Sequence, residues 1–360
     1  MKEKVLVGMS GGVDSSVCVY LLQQQGYEVE GVFLHLWDDD EKCRRAGHVG
    51  CCGADAVEDA RAVCSVLSIP LHVVSMKEEF LGRVVDSFCD SYLKGSTPNP
   101  CIECNRFIKW KGMMDTAARQ KAGYVATGHY ASVIRREDGR YALKRGSIKK
   151  DQTYVLYRLT QEQLSKTLFP LGEYDKAQIR SIAKEAGIPV AAKRDSQDVC
   201  FIPDGDHGAF IRDRMGSKAA CEGEFVLTDG TVIGRHKGIY NYTYGQRKGL
   251  GVAYGEPLFV VGMDTTNNRV VLGRNEECYR DWLEAVKVNH VSQERFNEEK
   301  TYIAKIRYSD PGSRCHVEYV DEDAGRIRVN FERPVRAVTP GQAVVLYDGD
   351  YVAGGGMITL

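Results

Sequence analysis

Gly8-Met9-Ser10-Gly11-Gly12-Val13-Asp14-Ser15-Ser16 is the stretch that decides the fold, and it lies between the apolar run Val5-Leu6-Val7 and a helical pattern from Val17 to Gln25. A strand that leads through a glycine-rich turn into a helix presents backbone N–H groups and the positive end of the helix dipole to an anion. The serines add hydroxyl donors, and the paired glycines let a phosphate approach the backbone. The stretch therefore predicts a phosphate site, and a nucleotide is the first candidate for its ligand.

Two common nucleotide-binding loops do not match this stretch. It lacks the Lys-Ser/Thr ending of the Walker loop and the glycine spacing of the dinucleotide fingerprint. The stretch resembles instead the SGGxDS loop of the PP-loop ATP pyrophosphatases. That resemblance implies a protein that binds ATP, releases pyrophosphate and leaves AMP on a substrate oxygen. Taken alone, an ordinary glycine-rich turn before a helix remains the alternative.

The composition is that of a globular protein with more than one domain. The chain has 360 residues, of which 43% are hydrophobic and 27% charged, and its formal net charge is -1. A chain of this length usually divides into two or three domains. It contains no apolar run long enough to span a bilayer and no secretion signal, so we expect a cytoplasmic protein without a membrane partner. Any nucleic-acid surface must be local, because the net charge is close to zero.

Short apolar strands alternate with amphipathic helices in the first part of the chain. This alternation predicts an α/β fold with a parallel sheet, and ligands of such sheets bind at the carboxyl ends of the strands. We therefore expect Leu34 and Gly128, at the ends of two strands, to lie against an adenine. The predicted strands are Val5 to Gly8, Gly31 to Leu34, Leu71 to Val74 and Tyr124 to Thr127, and the predicted helices are Val17–Gln25, Ala54–Leu67, Glu78–Leu93 and Phe107–Lys121.

Several of the twelve cysteines stand in informative contexts. In the run from Gly95 to Asn105 two prolines predict an extended loop, and Cys104 then opens a helix that begins at Arg106. A thiol at a helix N-terminus near basic residues has a lowered pKa and is a candidate nucleophile. The Cys101–Cys104 spacing alone fits half a metal site, a redox pair or no function at all. Cys200, at the head of a short apolar run, fits a small buried hydrophobe.

The segment from Trp37 to Gly53 has no clear periodicity and predicts a surface insertion. A zinc site is conceivable there, but adjacent cysteines fit no common ligand spacing. Its candidate ligands are Cys43, His48, Cys51 and Cys52.

The rest of the chain predicts β structure and RNA contacts. Ala131–Arg145 has the alternation of a hairpin, and Lys149 to Tyr154 is basic and polar with nearby aromatics, which suits phosphate and base contacts. Basic and aromatic residues alternate again from His236 to Gly251. The last 80 or so residues lack helical periodicity, and their regularly spaced strand-like runs predict a small antiparallel barrel.

Taken together, the motifs resemble the bacterial tRNA-specific 2-thiouridylases along nearly the whole chain. The resemblance implies an ATP-dependent enzyme that places sulfur on C2 of the wobble uridine of certain tRNAs. It also implies a PP-loop domain at 1–203, a central β-rich domain at 204–278 and a C-terminal β-barrel at 279–360. The motifs that carry it are Gly8–Ser16, Asn99-Pro100-x-x-x-Cys104-Asn105, Thr127-Gly128-His129-Tyr130, Lys150-Asp151-Gln152, Asp198-Val199-Cys200-Phe201-Ile202, Tyr244-Gly245-Gln246-Arg247-Lys248-Gly249-Leu250 and Thr339-Pro340-Gly341-Gln342.

The resemblance assigns roles to particular residues. Cys104 is the implied nucleophile and Cys200 the implied persulfide carrier. Many members of the family have Asp where this chain has Cys101, so this chain has an additional thiol beside the nucleophile. The implied ATP contacts are Gly8, Met9, Ser10, Gly11, Gly12, Val13, Asp14, Ser15, Leu34 and Gly128. The implied contacts to the target base are Asn99, Pro100 and Cys101, and those to the tRNA are His129, Lys150, Asp151, Gln152, Arg307, Tyr308 and Gln342.

The chemistry implied by the family fits these residue types. ATP adenylates the C2 oxygen so that AMP can leave, and a persulfide on Cys200, supplied by an upstream sulfur carrier or cysteine desulfurase, attacks C2. Cys104 then releases the product and forms a disulfide with Cys200 that an external reductant must reset. In a variant, Cys104 first frees hydrosulfide, which attacks C2. Mg²⁺ is expected with the triphosphate, near Asp14, while no resident metal site is assigned.

Other functions stay open from the sequence. A [4Fe–4S] cluster on Cys101, Cys104 and Cys200 would carry the sulfur by a different route. A PP-loop synthetase for a small molecule would leave the cysteines and the basic aromatic segments without a role. A simple RNA-binding module would show no ATP–pyrophosphate exchange.

Overall fold

The computed structural model of the protein describes residues 2–37, 54–146, 150–193, 199–202, 204–219 and 221–360. The insertion predicted between Trp37 and Gly53, with its possible zinc ligands Cys43, His48, Cys51 and Cys52, lies almost wholly outside these residues. Within the described part of the chain, no helix is long and apolar enough to cross a membrane.

The N-terminal part is built on a parallel five-stranded sheet with the strand order β3-β2-β1-β4-β7. The first strand lies in the middle of the sheet, and its Val5, Leu6 and Val7 are fully buried between the helices on the two faces. The strand order reverses between β1 and β4, so the crevice at their carboxyl ends is the expected ligand position of an open α/β sheet. The strands are β1 (Lys4–Met9), β2 (Glu28–His35), β3 (Leu71–Ser75), β4 (Tyr124–Ala126) and β7 (Thr167–Leu168).

Helices cover both faces of this sheet, and helical structure is present at each of the four positions that the sequence predicts. The segments Leu81–Asp86 and Asn105–Lys109 continue their neighbouring helices with π-helical turns. The helices are α1 (Val13–Gln24), α2 (Ala54–Val66), α3 (Lys77–Phe80), α4 (Ser87–Leu93), α5 (Pro100–Cys104), α6 (Trp110–Gln120), α7 (Gln161–Ser165) and α8 (Lys176–Glu185).

The prediction that the helix after the two prolines begins at Arg106 was wrong. The helix begins at Pro100, because proline is favourable at the first helical position and Asn99 caps the end by accepting a hydrogen bond from the Cys101 N–H at 3.1 Å. Cys101 therefore lies in the first turn, whereas Cys104 lies inside a continuous helical run.

The central part forms a four-stranded sheet with the order β10-β11-β8-β9 around a separate hydrophobic cluster. A helix, α9 (His207–Met215), precedes this sheet; its mixed apolar pattern gave no clear helical signal in the sequence. The strands are β8 (Gly223–Leu227), β9 (Val232–His236), β10 (Phe259–Asp264) and β11 (Arg269–Gly273).

The C-terminal part is a closed antiparallel barrel, as predicted, because its first strand β12 pairs with its last strand β17. The sequence does not predict β12, whose alternation is broken by two register shifts and by Lys287 at φ 55°. The other five strands match the strand-like runs of the sequence at Thr301–Arg307, His316–Tyr319, Arg326–Phe331, Ala343–Tyr347 and Tyr351–Ile358. The strands are β12 (Tyr279–His290), β13 (Tyr302–Lys305), β14 (Ser313–Asp321), β15 (Arg326–Arg336), β16 (Ala343–Asp348) and β17 (Tyr351–Thr359).

The predicted hairpin, β5 (Ala131–Arg135) and β6 (Tyr141–Arg145), joins the barrel to the N-terminal part. Strand β6 pairs with β17, and Tyr154 donates a hydrogen bond from its hydroxyl to the Ala343 carbonyl at 2.9 Å. These contacts attach the barrel to the segment that runs from the hairpin to Tyr154. Residues of the barrel therefore lie beside the N-terminal part. The predicted fold class is confirmed.

Candidate active site

The predicted phosphate loop closes the carboxyl end of β1 and begins α1. The Ser15 and Ser16 hydroxyls donate to the Gly12 carbonyl at 3.1 and 2.9 Å, and the Ser10 N–H donates to Ser15 Oγ at 3.2 Å. These two buried serines therefore shape the loop from within. Gly12 caps α1 without a side-chain hydrogen bond, so the first N–H groups of the helix remain for an anion. Gly11 has φ 65°, and a Cβ there would lie 2.5 Å from the Ala56 carbonyl oxygen, so only glycine fits.

Asp14, in the first turn of α1, is the centre of a charged cluster. Its carboxylate accepts a hydrogen bond from the Tyr130 hydroxyl at 2.7 Å and from Lys176 Nζ at 2.8 Å, and Lys150 Nζ lies 3.8 Å away. The Lys150 ammonium group also lies 4.8 Å from the centre of the Tyr130 ring. The loop is thereby connected to the Lys150-Asp151-Gln152 segment, because Gln152 Oε1 accepts from the Tyr130 N–H at 2.9 Å.

A third lysine supports the other side of the loop. Lys193 Nζ donates to the Gly11 carbonyl at 3.1 Å and forms an ion pair with Asp59. Lys176, Lys193 and Asp59 could not be identified as site residues from the sequence, since each stands far from the loop in the chain and in no motif of its own.

Leu34 and Gly128 lie at the carboxyl edge of the sheet, as predicted. Leu34 Cδ2 would lie 3.0 Å from a Cβ on Gly112 of α6, so the leucine packs closely between β2 and that helix. A Cβ on Gly128 would lie 2.7 Å from the Asp14 carbonyl carbon and 2.8 Å from the Ser15 nitrogen. Gly128 therefore permits the close approach of two backbones at the phosphate loop.

We expect Gly128→Ala to destabilise the protein by about 1–3 kcal/mol and to weaken nucleotide binding, because the added methyl group pushes the start of α1 out of place. Thermal unfolding and ATP titration measure the two effects. Gly123→Ala is the matched control, since a Cβ on Gly123 meets nothing within 4 Å. Equal unfolding temperatures for the two variants would contradict this account of Gly128.

The predicted catalytic thiols come together in one hydrophobic cluster, although they are far apart in the sequence. Cys104 is buried, with 6% of its surface exposed, and Cys200 is half-buried against the same cluster. Phe201 anchors the Cys200 segment, since its ring centre lies 5.7 Å from that of Phe80 and 5.3 Å from that of Phe88. Cys101 is exposed at the start of α5. Asp198, the first residue of the motif that contains Cys200, lies outside the described residues.

The barrel holds the segment that leads to the thiols. The Thr97 N–H donates to the Pro340 carbonyl at 2.8 Å, and Gln342 Nε2 donates to the Thr97 carbonyl at 2.8 Å. Gln342, predicted to contact tRNA, thus also supports the loop before Asn99. On the other side of α5, Arg158 forms a largely buried ion pair with Glu103.

The remaining predicted tRNA contacts lie around the same crevice. Tyr308, 43% exposed, stands with its ring edge towards Tyr154 at 6.2 Å, and the charges of Asp151 and Lys150 and the Cys101 thiol all act on its hydroxyl. The pKa of Tyr308 is raised, chiefly by burial. Two other predicted tRNA contacts form hydrogen bonds within the protein. Asp151 accepts from the Thr153 N–H and hydroxyl, and Arg307 donates to the Arg336 carbonyl.

His129 lies in an aromatic setting rather than on an open basic surface. Its ring centre is 5.8 Å from that of Trp110 and 6.2 Å from that of Phe169, and Nδ1 lies 2.7 Å from the Thr127 hydroxyl. Burial lowers the pKa of His129 to about 3, and the positive charge of Lys109 acts in the same direction. His129 is thus a neutral imidazole at neutral pH.

The lowered pKa of His129 predicts a pH dependence of stability. The pKa of the histidine is about 6.5 in the unfolded chain and about 3 in the folded protein. Between these values the unfolded state binds a proton that the folded state does not, so the stability of the fold falls as the pH drops from about 6.5 towards about 3. We expect His129→Gln to flatten the fall in unfolding temperature between about pH 6.5 and pH 4. His316→Gln, at an exposed histidine, is the control. An unchanged pH profile in the His129 variant would contradict the assignment.

Within the described residues, no group of three or more His, Cys, Asp or Glu side chains is placed to hold a metal ion. Cys101, Cys104 and Cys200 are all described and do not form such a group. The geometry therefore gives the iron–sulfur alternative no support.

Comparison with known protein families covers nearly the whole chain. A model described as a tRNA methyl transferase HUP domain matches residues 3–204, one described as a tRNA methyl transferase PRC-barrel domain matches 208–274, and one described as an aminomethyltransferase beta-barrel domain matches 280–358.

Curated relatives align with the chain from end to end. A tRNA-specific 2-thiouridylase of Lachnoclostridium phytofermentans is 50% identical over 357 residues, which are 99% of each chain. One from Clostridium botulinum is 50% identical over 360 residues, again 99% of each chain. One from Clostridioides difficile is 49% identical over 360 residues, covering 99% of this chain and 98% of the relative. Identity at this level over the full length shows that the chain belongs to the family of tRNA-specific 2-thiouridylases.

Proposed function

We propose that the protein is a tRNA-uridine 2-sulfurtransferase that uses ATP to replace the C2 oxygen of the wobble uridine by sulfur. The observation that carries the proposal is the link from the phosphate loop through Lys150 and Tyr308 to the start of α5, the helix that contains Cys101 and Cys104. Lys150 lies 3.8 Å from Asp14 of the loop, and its charge also acts on Tyr308, which is close enough to Cys101 to be influenced by that thiol. These contacts support our proposal that nucleotide binding and sulfur transfer occur at neighbouring positions.

The proposed reaction begins with attack of the uracil C2 oxygen on the α-phosphorus of ATP, which releases pyrophosphate and leaves AMP on that oxygen. The N–H groups at the start of α1 stabilise the charge on the phosphates. A persulfide on Cys200 then attacks C2 and displaces AMP, forming a C2–S–S–Cys200 bridge. The Cys104 thiolate attacks the Cys200 sulfur, so the product leaves with its sulfur and a Cys104–Cys200 disulfide remains.

The expected cofactor and partners follow from this scheme. The persulfide requires an upstream sulfur carrier or cysteine desulfurase, and the disulfide requires an external reductant. Asp14 does not fit a dedicated Mg²⁺ site, because two lysines and a tyrosine already surround its carboxylate. Mg²⁺ enters the proposal only as the companion of the triphosphate.

We also propose three domains, with boundaries at 1–203, 204–278 and 279–360. The separate hydrophobic clusters of the central sheet and of the barrel support this division, as do the ranges of the three family models. The target uridine lies between the PP-loop domain and the barrel in this proposal, near Cys101 and Tyr308.

The decisive experiment is mass analysis of nucleosides from tRNA incubated with the protein, ATP, Mg²⁺ and a persulfide donor. We expect ATP-dependent 2-thiouridine, with one AMP formed for each sulfur incorporated. Because two family models are named for methyl transfer, S-adenosylmethionine is supplied in a parallel reaction. Methylated nucleosides without 2-thiouridine, or adenylation of a small molecule without tRNA, would overturn the proposal.

A further inference from the structure

A cavity of about 540 Å³ lies between the β5–β6 hairpin and the barrel. Neither the phosphate-loop residues nor the proposed catalytic thiols line it. Its volume falls in the range of sites for small organic ligands. Its wall carries the cations Lys144, Arg145 and Lys305 and at least as many carboxylates, among them those of Asp151, Asp310 and Asp350.

Arg145 is a fixed part of this wall. Its guanidinium carbon lies 4.0 Å from the centre of the fully buried Tyr347 ring, and its backbone N–H donates to the Asp350 carbonyl at 2.8 Å. Within the described part of the chain, the Nε of Arg145 is buried without a hydrogen-bond partner. A buried donor without an acceptor is unfavourable, so a ligand that brings an acceptor would remove that cost.

Lys305 of β13 is the second donor of the wall, and it is half-buried. Burial lowers the pKa of Lys305, Arg145 acts in the same direction, and Asp151 and Asp310 act against it. Asp310 is held in place, because its carboxylate accepts from the Ile306 and Gly312 N–H groups at 3.0 Å.

This mixture of charges decides the class of ligand. A phosphate group would meet the carboxylates of the wall as well as the cations, and like charges repel. A nucleobase fits better, because its edge carries both acceptors and donors and its faces stack on a guanidinium plane. The cavity thus offers both kinds of contact by which proteins recognise an unstacked base.

The cavity adjoins the position that we propose for the target uridine. Asp151 belongs to its wall, and Asp151, Lys150 and the Cys101 thiol all act on the hydroxyl of Tyr308. A ligand of the cavity therefore lies one side chain away from the proposed target position. Single-stranded RNA loops are recognised through bases that are splayed out in this way.

We propose that the cavity binds a second base of the tRNA loop, a neighbour of the target uridine, and so helps to select the tRNAs that are modified. This inference rests on the proposed function, since it requires tRNA as substrate. Arg145 supplies the stacking plane, and Lys305 donates to a carbonyl oxygen of the base. Adenine has no carbonyl group, so it is the base that the cavity accepts least well.

The test measures binding of a stem-loop RNA that contains the target uridine, by fluorescence anisotropy at one salt concentration. Each nucleotide beside the target is replaced in turn by an abasic one and by adenosine. We expect abasic replacement at one position to weaken binding to the wild-type protein by about 10- to 100-fold, the range of a lost stacking contact. Adenosine at that position should weaken it by about 10-fold, the loss of one hydrogen bond to a charged group.

Protein variants show whether the cavity is responsible. Lys305→Met should bind the intact RNA about 10-fold more weakly than wild type and should no longer distinguish adenosine at the sensitive position. Arg145→Lys keeps the charge and removes the stacking plane, so its loss on abasic replacement should shrink to about threefold or less. Lys300→Met, at an exposed lysine of the barrel that does not line the cavity, should behave as wild type.

The outcomes separate the inference from the function on which it rests. Full discrimination retained by both cavity variants would show that these residues do not read a base, and wild-type binding that is insensitive at every neighbouring position would exclude a second base site. Either result overturns the inference, while ATP-dependent 2-thiouridine formation by the wild-type protein leaves the proposed function standing. A wild-type protein that neither binds the RNA nor forms 2-thiouridine would overturn both.

Discussion

Cys200→Ser should abolish formation of 2-thiouridine, lowering the rate by at least about 1000-fold, while ATP binding remains as in wild type. A serine hydroxyl cannot carry a persulfide, so no sulfur reaches the adenylated uridine. The phosphate loop and the Asp14 cluster lie on other segments and are not changed by the substitution. Nucleoside mass analysis and ATP titration on the same preparations measure the two effects.

Cys221→Ser is the matched control for this substitution, because Cys221 is an exposed cysteine of the central part. It should leave both sulfur transfer and ATP binding unchanged. Thiolation retained by the Cys200 variant would show that another group carries the sulfur. Loss of ATP binding together with thiolation would show instead that the Cys200 segment supports the nucleotide site.

The sequence predicted the N-terminal fold well because its signals are local. Fully apolar strands such as Val5-Leu6-Val7 and amphipathic helices between them have few alternatives to a parallel sheet. The barrel was predicted for the same reason, except for β12. That strand changes register twice, so its buried side chains do not alternate over the whole length.

The helix that carries Cys104 shows where local signals compete. The two prolines favoured an extended loop, but Pro100 follows the capping residue Asn99 and is thus the first residue of a helix. The basis of Cys104 reactivity changes accordingly, because the thiol lies within the helical run and is buried. The first-turn position that favours a thiolate belongs to Cys101.

The contacts that organise the candidate site could not be predicted from the sequence. Lys176, Lys193 and Tyr130 reach the phosphate loop from separate segments through tertiary packing. Cys104 and Cys200 likewise share one hydrophobic cluster, rich in phenylalanines, through tertiary packing rather than through any local pattern. The motifs predict which groups react, whereas the residues that hold those groups in place depend on the folded chain.

The different burial of the two proposed catalytic thiols favours one order of events. Cys200 is half-buried, so we expect it to be the thiol that meets a sulfur donor and the substrate. Cys104 is only 6% exposed inside a helix, so we expect it to react with a sulfur already attached to Cys200, which packs against the same hydrophobic cluster. We therefore expect direct attack of the Cys200 persulfide on C2, followed by the action of Cys104.

Cys104→Ala should stop the reaction at the bridge between substrate and enzyme. After the persulfide on Cys200 displaces AMP, the C2–S–S–Cys200 bond persists because no second thiol attacks it. We expect a covalent tRNA–protein species that forms only with ATP, is released by a reductant as 2-thiouridine-containing tRNA, and replaces turnover. Denaturing gel electrophoresis with and without reductant detects it.

Cys89→Ala removes a buried thiol from the same hydrophobic cluster and should give normal turnover without the adduct. Loss of turnover without any adduct would contradict direct attack, because it would mean that Cys104 acts first and frees the hydrosulfide that reaches C2.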